Sequence, residues 1–384
     1  MTNLEQDQPY TRPATGLPTG HDEGLSPLSP VDISRVRTLD DFAKEIKKTS
    51  FDGGEVGNAV DVLTEMVMDK DTFVVMTVSG AMTPAKMSYV MCDMIDKGMV
   101  QAVVSTGALM AHGFVEAAGM AHFRVPKGLS DEESYKKGYN RIYTALEPES
   151  NLDEVEKKLS EILSTLDANK ILSSRLITEK IGEHLDKHVP GRGILKSAFR
   201  KGVPVFVPAF TDSELGLDVG LINQSRREQG LPRFRFDPFL DLDFYSELIK
   251  HQVGKKLAIF TIGGGVPRNW AQQIGPYIDL QQKRSVTQTE IDPVMFHYAV
   301  RITPEPVGLG GLSGCTYEEG KSWGKFWPNG KFAEVPFDAT LAWPLITGAT
   351  IQRIGRKKIE KDVFTGKKAL RAITKIVEDK YYGN

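Results

Sequence analysis

Between Glu319 and Lys325 the chain reads Glu319-Gly320-Lys321-Ser322-Trp323-Gly324-Lys325, a carboxylate, an indole and a lysine within seven residues. A lysine amine does covalent chemistry only when something lowers its pKa, either burial in an apolar pocket or a neighbouring cation. Trp323 can wall such a pocket, and Lys321 can be the neighbouring cation. Gly324 lets backbone or substrate approach closely, and Glu319 can orient or bind an amine. The same residues also fit a surface turn with two solvated lysines beside a core tryptophan. Spacing alone favours that plainer reading.

The elements that must position this segment alternate between strand and helix. From Thr72 a short apolar, β-branched run to Val78 reads as a buried parallel strand. It ends at Ser79-Gly80-Ala81-Met82-Thr83-Pro84, where hydroxyls and a first-turn proline mark the start of a helix from Pro84 to about Lys97. Val100–Val104 is the next strand and ends at Ser105-Thr106-Gly107-Ala108. This order predicts a parallel sheet with right-handed crossovers, so Ser79, Thr83, Thr106 and Gly107 fall at carboxyl ends of strands, where open α/β sheets bind ligands. Residues 130–200 read as mostly helical. The strand Val203–Pro208 delivers Asp212, whose carboxylate suits a ribose hydroxyl, an amine or a helix N-cap equally. Lys255–Ile262 is the clearest strand and runs into Gly263-Gly264-Gly265, with a helix expected from Asn269. Three glycines there allow backbone to approach a phosphate at a helix amino terminus, although the pattern alone is weak. Tyr298–Thr303 is a further strand, and a loop with four glycines leads to the lysine segment. Val335–Leu341 reads as a strand-end turn, followed by a helix from about Trp343 to Arg353 and a final helix.

Composition narrows the classes. A formal charge of −2 over 384 residues, without a run of one sign, gives no footprint for nucleic acid. No apolar run approaches the roughly 20 residues of a membrane span, and the amino terminus lacks a signal-peptide core, so a cytoplasmic protein is expected. Cys92 and Cys315 lack metal-ligand spacing. His184 and His188 share a helix face without a third ligand, so a solvated face is expected there and no metal. Residues 1–30, rich in Pro, Gly and polar groups, read as a mobile tail or an arm over a neighbouring subunit. Residues 31–384 read as a single α/β domain.

From about residue 33 to 375 the chain resembles the deoxyhypusine synthase family. The matching pieces come in family order: Ser79 to Thr83, Thr106-Gly107, Asn140-Arg141-Ile142, Pro208 to Asp212, Gly263 to Val266, Glu319 to Lys325, and Asp338-Ala339. The resemblance implies a modified Rossmann-like parallel sheet with helices on both faces, assembled as a homotetramer with NAD and active sites at subunit interfaces. It maps NAD contacts onto Ser79, Gly80, Thr83, Thr106, Gly107, Asp212, Gly264, Thr303, Asp338 and Ala339, and the catalytic lysine onto Lys325 beside Glu319 and Trp323.

The departures fall at substrate positions. Ala111 and His112 stand where the family has an acidic pair, and Leu217 stands at an aspartate position, with Asp218 one place later. Asn269 replaces a histidine and Leu312 an aspartate. His112, Asp218 and Asn269 therefore join Glu319 and Trp323 as candidate substrate contacts in a divergent, deoxyhypusine synthase-like branch. The implied reaction is NAD-dependent transfer of an aminobutyl-type group from a polyamine, through a Schiff base on Lys325, to an acceptor that is a protein lysine or a small amine. Plain amine dehydrogenation and a non-catalytic NAD-binding homologue are the alternatives.

Overall fold

The structure is a computed structural model and describes residues 12, 13, 15–286 and 291–382. Of the expected tail, residues 1–11 and 14 lie outside the described residues, and 15–30 run over the surface without helix or strand.

Six parallel strands form the central sheet: β1 (Thr72–Val78), β2 (Ala102–Ser105), β3 (Val205–Phe206), β4 (Lys256–Ile262), β5 (Phe296–Ile302) and β6 (Phe326–Val335). Their spatial order is β6-β5-β4-β1-β2-β3. The chain leaves β1 toward β2 and leaves β4 toward β5, in opposite directions along the sheet. The carboxyl ends of β1 and β4 therefore flank the crevice where doubly wound sheets hold dinucleotides.

Alternate residues of β1 feed the two faces, as the pleat dictates. Val74, Met76 and Val78 pack with Met91, Cys92 and Ile95 of the helix Ser88–Asp96 on one side. Phe73 and Val75 pack with Phe244, Tyr245, Ala271 and Ile274 on the other. Every residue of β1 is buried, which is why its sequence reads as a continuous apolar run. At the chain's entry, Thr38 caps the helix Leu39–Ile46 in a reciprocal box with Asp41.

Several expected boundaries move. The helix anticipated at Pro84 begins at Ser88, because Lys86 adopts φ +66° and holds residues 82–86 in a turn. The helix anticipated at Asn269 begins at Gly265, and the one anticipated at Trp343 begins at Ala339, capped by Asp338. The sequence does not announce strand β6, because Pro328-Asn329-Gly330 interrupts its pattern. The register with β5 slips there, from Phe296↔Phe326 to Tyr298↔Lys331. Residues 130–200 contain the expected helices, but also most of a three-stranded antiparallel arm of Phe123–Arg124, Ala145–Pro148 and Tyr139–Ile142. Its hairpin turns on Tyr143 at φ +54°, a position with no Gly or Asn to announce it.

Candidate active site

Lys325 is placed by a short helix and one left-handed glycine. Thr316 accepts the Glu319 N–H and caps the helix Tyr317–Ser322. Gly324, at φ +67°, turns the chain into β6, and the Lys325 carbonyl accepts the Phe296 N–H at 2.9 Å. The residue that results is 8% exposed. Its Nζ donates to Asn269 Oδ1 at 3.1 Å and lies 5.9 Å from the Trp323 ring centroid. Burial lowers the pKa of this amine; Cys315 and Glu319 pull it back up, and Arg268 adds to the lowering. Lys321 is not the activating cation. It pairs with Glu318 at 2.7 Å and lies over Phe332, and Arg268 supplies the nearby positive charge instead. Trp323 is 65% exposed in the single chain, so it leans beside the amine without closing the pocket.

Two buried guanidinium groups fasten the loop that leads to this helix. Arg268 donates to the Leu312 carbonyl at 3.2 Å and the Cys315 carbonyl at 2.8 Å. Arg301 donates to the Ser313 carbonyl at 2.6 Å, to the Cys315 carbonyl and to Glu334, whose other oxygen accepts the Tyr317 N–H at 2.7 Å. Of the two cations, Arg268 is the one that acts on Lys325, and it adds to the lowering that burial produces. None of Arg268, Arg301 and Glu334 stood out in the sequence. The signal was a charged residue inside each of two strands at paired positions, Arg301↔Glu334, and it becomes legible only once β6 is recognised.

At the other end of the site the carboxyl edge of the sheet gathers the expected cofactor residues, one group per strand. Ser79-Gly80 follows β1, Thr106-Gly107 follows β2, Asp212 lies beyond β3, Gly264 follows β4, Thr303 follows β5, and Asp338-Ala339 lies beyond β6. The Gly264 N–H donates to Ser79 Oγ at 2.9 Å, joining the two turns across the crevice. Thr83 Oγ1 donates to the Leu109 carbonyl at 3.0 Å and braces the β1 turn against the helix Gly107–Ala117. Gly107 lets the β2 turn meet Ser213, since a Cβ there would fall 2.2 Å from Ser213 Oγ. Gly264 serves a protein contact of the same kind, since a Cβ would stand 2.5 Å from Ser313 Cα. The triple glycine and the lysine loop therefore touch.

These turns suit a dinucleotide. Thr106 Oγ1 is buried without a partner, and Ser213 caps the following helix, leaving the exposed Asp212 carboxylate free of that duty. Gly265, at φ +61°, faces open space at the amino end of the helix Gly265–Gln272, where backbone N–H groups can receive phosphate. Asp338 is committed to capping its helix through the Thr340 N–H, and Thr303 Oγ1 accepts the Glu305 N–H at 3.3 Å.

Two candidate substrate residues have charged protein neighbours of their own. His112 is buried, with Nδ1 3.0 Å from Glu147 Oε2. Asp218 has Glu156 and Glu214 as charged neighbours; burial first, then these two carboxylates, raise its pKa to about 7. Leu217, at the family's aspartate position, is 63% exposed, and Leu312 is 51% exposed.

A crevice at the switch point of a parallel sheet, joined to a buried lysine, defines an α/β protein with a candidate site for amine chemistry. Residues 41–350 match the family model "Deoxyhypusine synthase", and the chain belongs to that family. It is 32% identical over 332 residues to the "Probable deoxyhypusine synthase" of Methanosarcina thermophila, covering 86% of this chain and 96% of that one. Against the "Probable deoxyhypusine synthase 2" of Archaeoglobus fulgidus it is 32% identical over 321 residues, covering 83% and 99%. A "Deoxyhypusine synthase-like protein" of Chlorobaculum parvum is 30% identical over 314 residues, covering 80% and 84%. Among solved structures, the fold matches a "putative deoxyhypusine synthase" from Entamoeba histolytica with a TM-score of 0.56 at 14% identity, over 87% of this chain and all of that one. No helix among the described residues is long and apolar enough to cross a membrane.

Proposed function

We propose that this protein transfers an aminobutyl-type group from a polyamine to an acceptor amine, with Lys325 carrying the group as a Schiff base. One observation carries the reading: an 8%-exposed lysine of lowered pKa whose hydrogen-bond partner, Asn269, is a neutral amide and not a carboxylate. The strand-end turns at Ser79, Thr106, Asp212 and Gly264 would hold NAD, which supplies the hydride acceptor and donor that turn a donor amine into an imine and back. Lys325 Nζ adds to the imine carbon, and the C–N bond to the rest of the donor breaks as that amine leaves with a proton. The acceptor amine then repeats the exchange and frees Lys325. Asn269 orients Nζ without pinning it as an ammonium, and Trp323 lies along the alkyl chain. The family's named activity favours a protein lysine as acceptor. Assembly as a homotetramer would cover Trp323, Leu217 and Leu312, which a single chain leaves in water.

Borohydride trapping after incubation with NAD and a panel of polyamines tests this. The expected product is a mass adduct on Lys325 that is absent from Lys325→Ala and from Lys325→Arg, whose guanidinium stays protonated. An adduct on Lys321, or one persisting in Lys325→Ala, overturns the assignment. Net NADH release would mean dehydrogenation and not transfer. With Leu217 and Leu312 in place of acids, less cationic donors should compete well with spermidine at equal concentration; clear preference for spermidine would refute that part.

A further inference from the structure

Away from Lys325, two imidazoles and a carboxylate converge where the helix Gly107–Ala117 meets the three-stranded arm. His112 comes from the helix, His122 from the residue before the first arm strand, and Glu147 from the strand Ala145–Pro148. Glu147 Oε2 lies 3.0 Å from His112 Nδ1 and 2.6 Å from His122 Nε2. The Glu147 side chain is fully buried and that of His122 is 1% exposed. The approach of His122 is close but badly aimed for a hydrogen bond, so its buried Nε2 has no properly directed partner. We propose that His112 Nδ1, His122 Nε2 and Glu147 Oε2 form a binding site for a divalent transition metal of the zinc class.

The three ligand atoms lie within 4.8 Å of one another. Metal bonds of about 2.0–2.2 Å to two nitrogens and one oxygen require the rings to draw back slightly from the shared oxygen and the two nitrogens to stand within about 4.2 Å of each other. Two imidazoles and one carboxylate suit zinc or cobalt better than magnesium or calcium, which take oxygen ligands. The carboxylate is already oriented. Asn151 Nδ2 donates to Glu147 Oε1 at 2.5 Å and to the Ala121 carbonyl at 3.1 Å, which leaves Oε2 pointing between the rings. Outer hydrogen bonds of this sort are what metal-ligating side chains require. Three protein ligands leave one coordination place for water or an incoming anion.

Lys86 competes with the metal. Its Nζ stands 3.1 Å from His122 Nδ1, and a metal on Nε2 would put the ring proton on Nδ1, facing the ammonium. Lys86 must then turn to Glu116, whose Oε1 is 3.7 Å away and whose other oxygen accepts a hydrogen bond from Ser88 Oγ at 2.5 Å. The plain alternative is a hydrogen-bonded Lys86–His122–Glu147–His112 relay that never binds metal. The two accounts disagree about Lys86, because removing it breaks a relay but frees a metal site.

The test uses full-length protein stripped with a chelator and titrated with Zn²⁺ against a chromophoric competitor. One equivalent should bind, raise the melting temperature and give visible d–d bands when Co²⁺ replaces Zn²⁺. His122→Ala and Glu147→Gln should weaken binding by more than tenfold, and Asn151→Ala by about 10–100-fold. Lys86→Met should bind several-fold tighter, and His184→Ala should change nothing. Wild-type protein that binds no Zn²⁺ and shows no Co²⁺ bands overturns the proposal even if a variant fails to fold. So does binding that His184→Ala abolishes, or a Lys86→Met protein that binds no better than wild type.

Discussion

Asn269→Asp places a carboxylate where a neutral amide now meets Lys325 Nζ at 3.1 Å. Unit charges at that distance attract by about 5 kcal/mol at an effective dielectric of about 20, and by about 1.3 kcal/mol in bulk water. Asn269 is half-buried and Lys325 is 8% exposed, so the variant falls between these limits. Even the smaller figure changes the free-amine fraction about tenfold. The sign follows from the charge: a carboxylate favours the ammonium and opposes the burial that lowers the lysine's pKa. The pH at which Lys325 becomes reactive should therefore rise by at least about one unit. Asn269→Gln, a neutral amide, should leave it in place. The assay is the rate of cyanoborohydride-trapped imine formation with a small aldehyde, followed against pH and mapped to Lys325 by mass spectrometry, so that no cofactor is needed. An alkaline limb that stays put or moves to lower pH in Asn269→Asp would refute the claim that this contact controls the amine.

Three further outcomes are expected. Lys325→Met should melt above wild type at neutral pH, because a lysine whose folded pKa lies below 10.5 weakens the fold while protonated; the gap should close as pH approaches 10.5, which thermal melts across that range would check. Asp218→Asn should gain stability of the order of a few kcal/mol at pH 8 and almost none near pH 4, since an acid raised from 3.8 to about 7 loses stability as pH rises through that window. Urea midpoints at the two pH values decide it, and a loss at pH 8 would mean the carboxylate has a cationic partner in the assembled protein. Arg301→Met should cost about 3–5 kcal/mol by leaving Glu334 without its guanidinium, and should abolish trapping at Lys325 although Arg301 does not touch it; near-normal trapping in a folded Arg301→Met protein would show that the loop holds itself.

The alternation of strand, small polar turn and helix was legible because β1 and β4 are short, apolar and end in residues that only turns need. What escaped depended on contacts distant in sequence. Strand β6 is broken by Pro328-Asn329-Gly330, so its Glu334 could not be matched to Arg301 by pattern alone. The lysine segment was recognisable by residue type, yet the cation acting on Lys325 is Arg268, from the helix after the triple glycine, and not the adjacent Lys321. Asp218 shows the cost of a single position. One residue is about 100° on a helix, and that rotation gives Asp218 two carboxylates as neighbours while Leu217 takes the outer face. The sequence offers His112 as a substrate contact, but Glu147 and His122 meet it in the folded chain.

The strand-end turns and Lys325 are built as one piece, and the contacts show why. Ser79 Oγ, at the end of β1, holds the Gly264 N–H, and Gly264 leaves no room for a side chain against Ser313. The carbonyls of Ser313 and Cys315 are held by Arg301 from β5, and those of Leu312 and Cys315 by Arg268 from the helix that the glycines begin. Thr316 then caps the helix whose end releases Gly324 and Lys325. Each link is a hydrogen bond or a steric contact that fixes the next, so a bulky residue at Gly264 would displace the Ser313 loop whether or not a nucleotide were bound. A loss of nucleotide binding in such a variant therefore says nothing about direct contact, and the informative substitutions are Thr106→Val and Asp212→Ala. Both side chains lie beyond strand ends, neither makes a hydrogen bond among the described residues, and neither takes part in fastening the loop that positions Lys325.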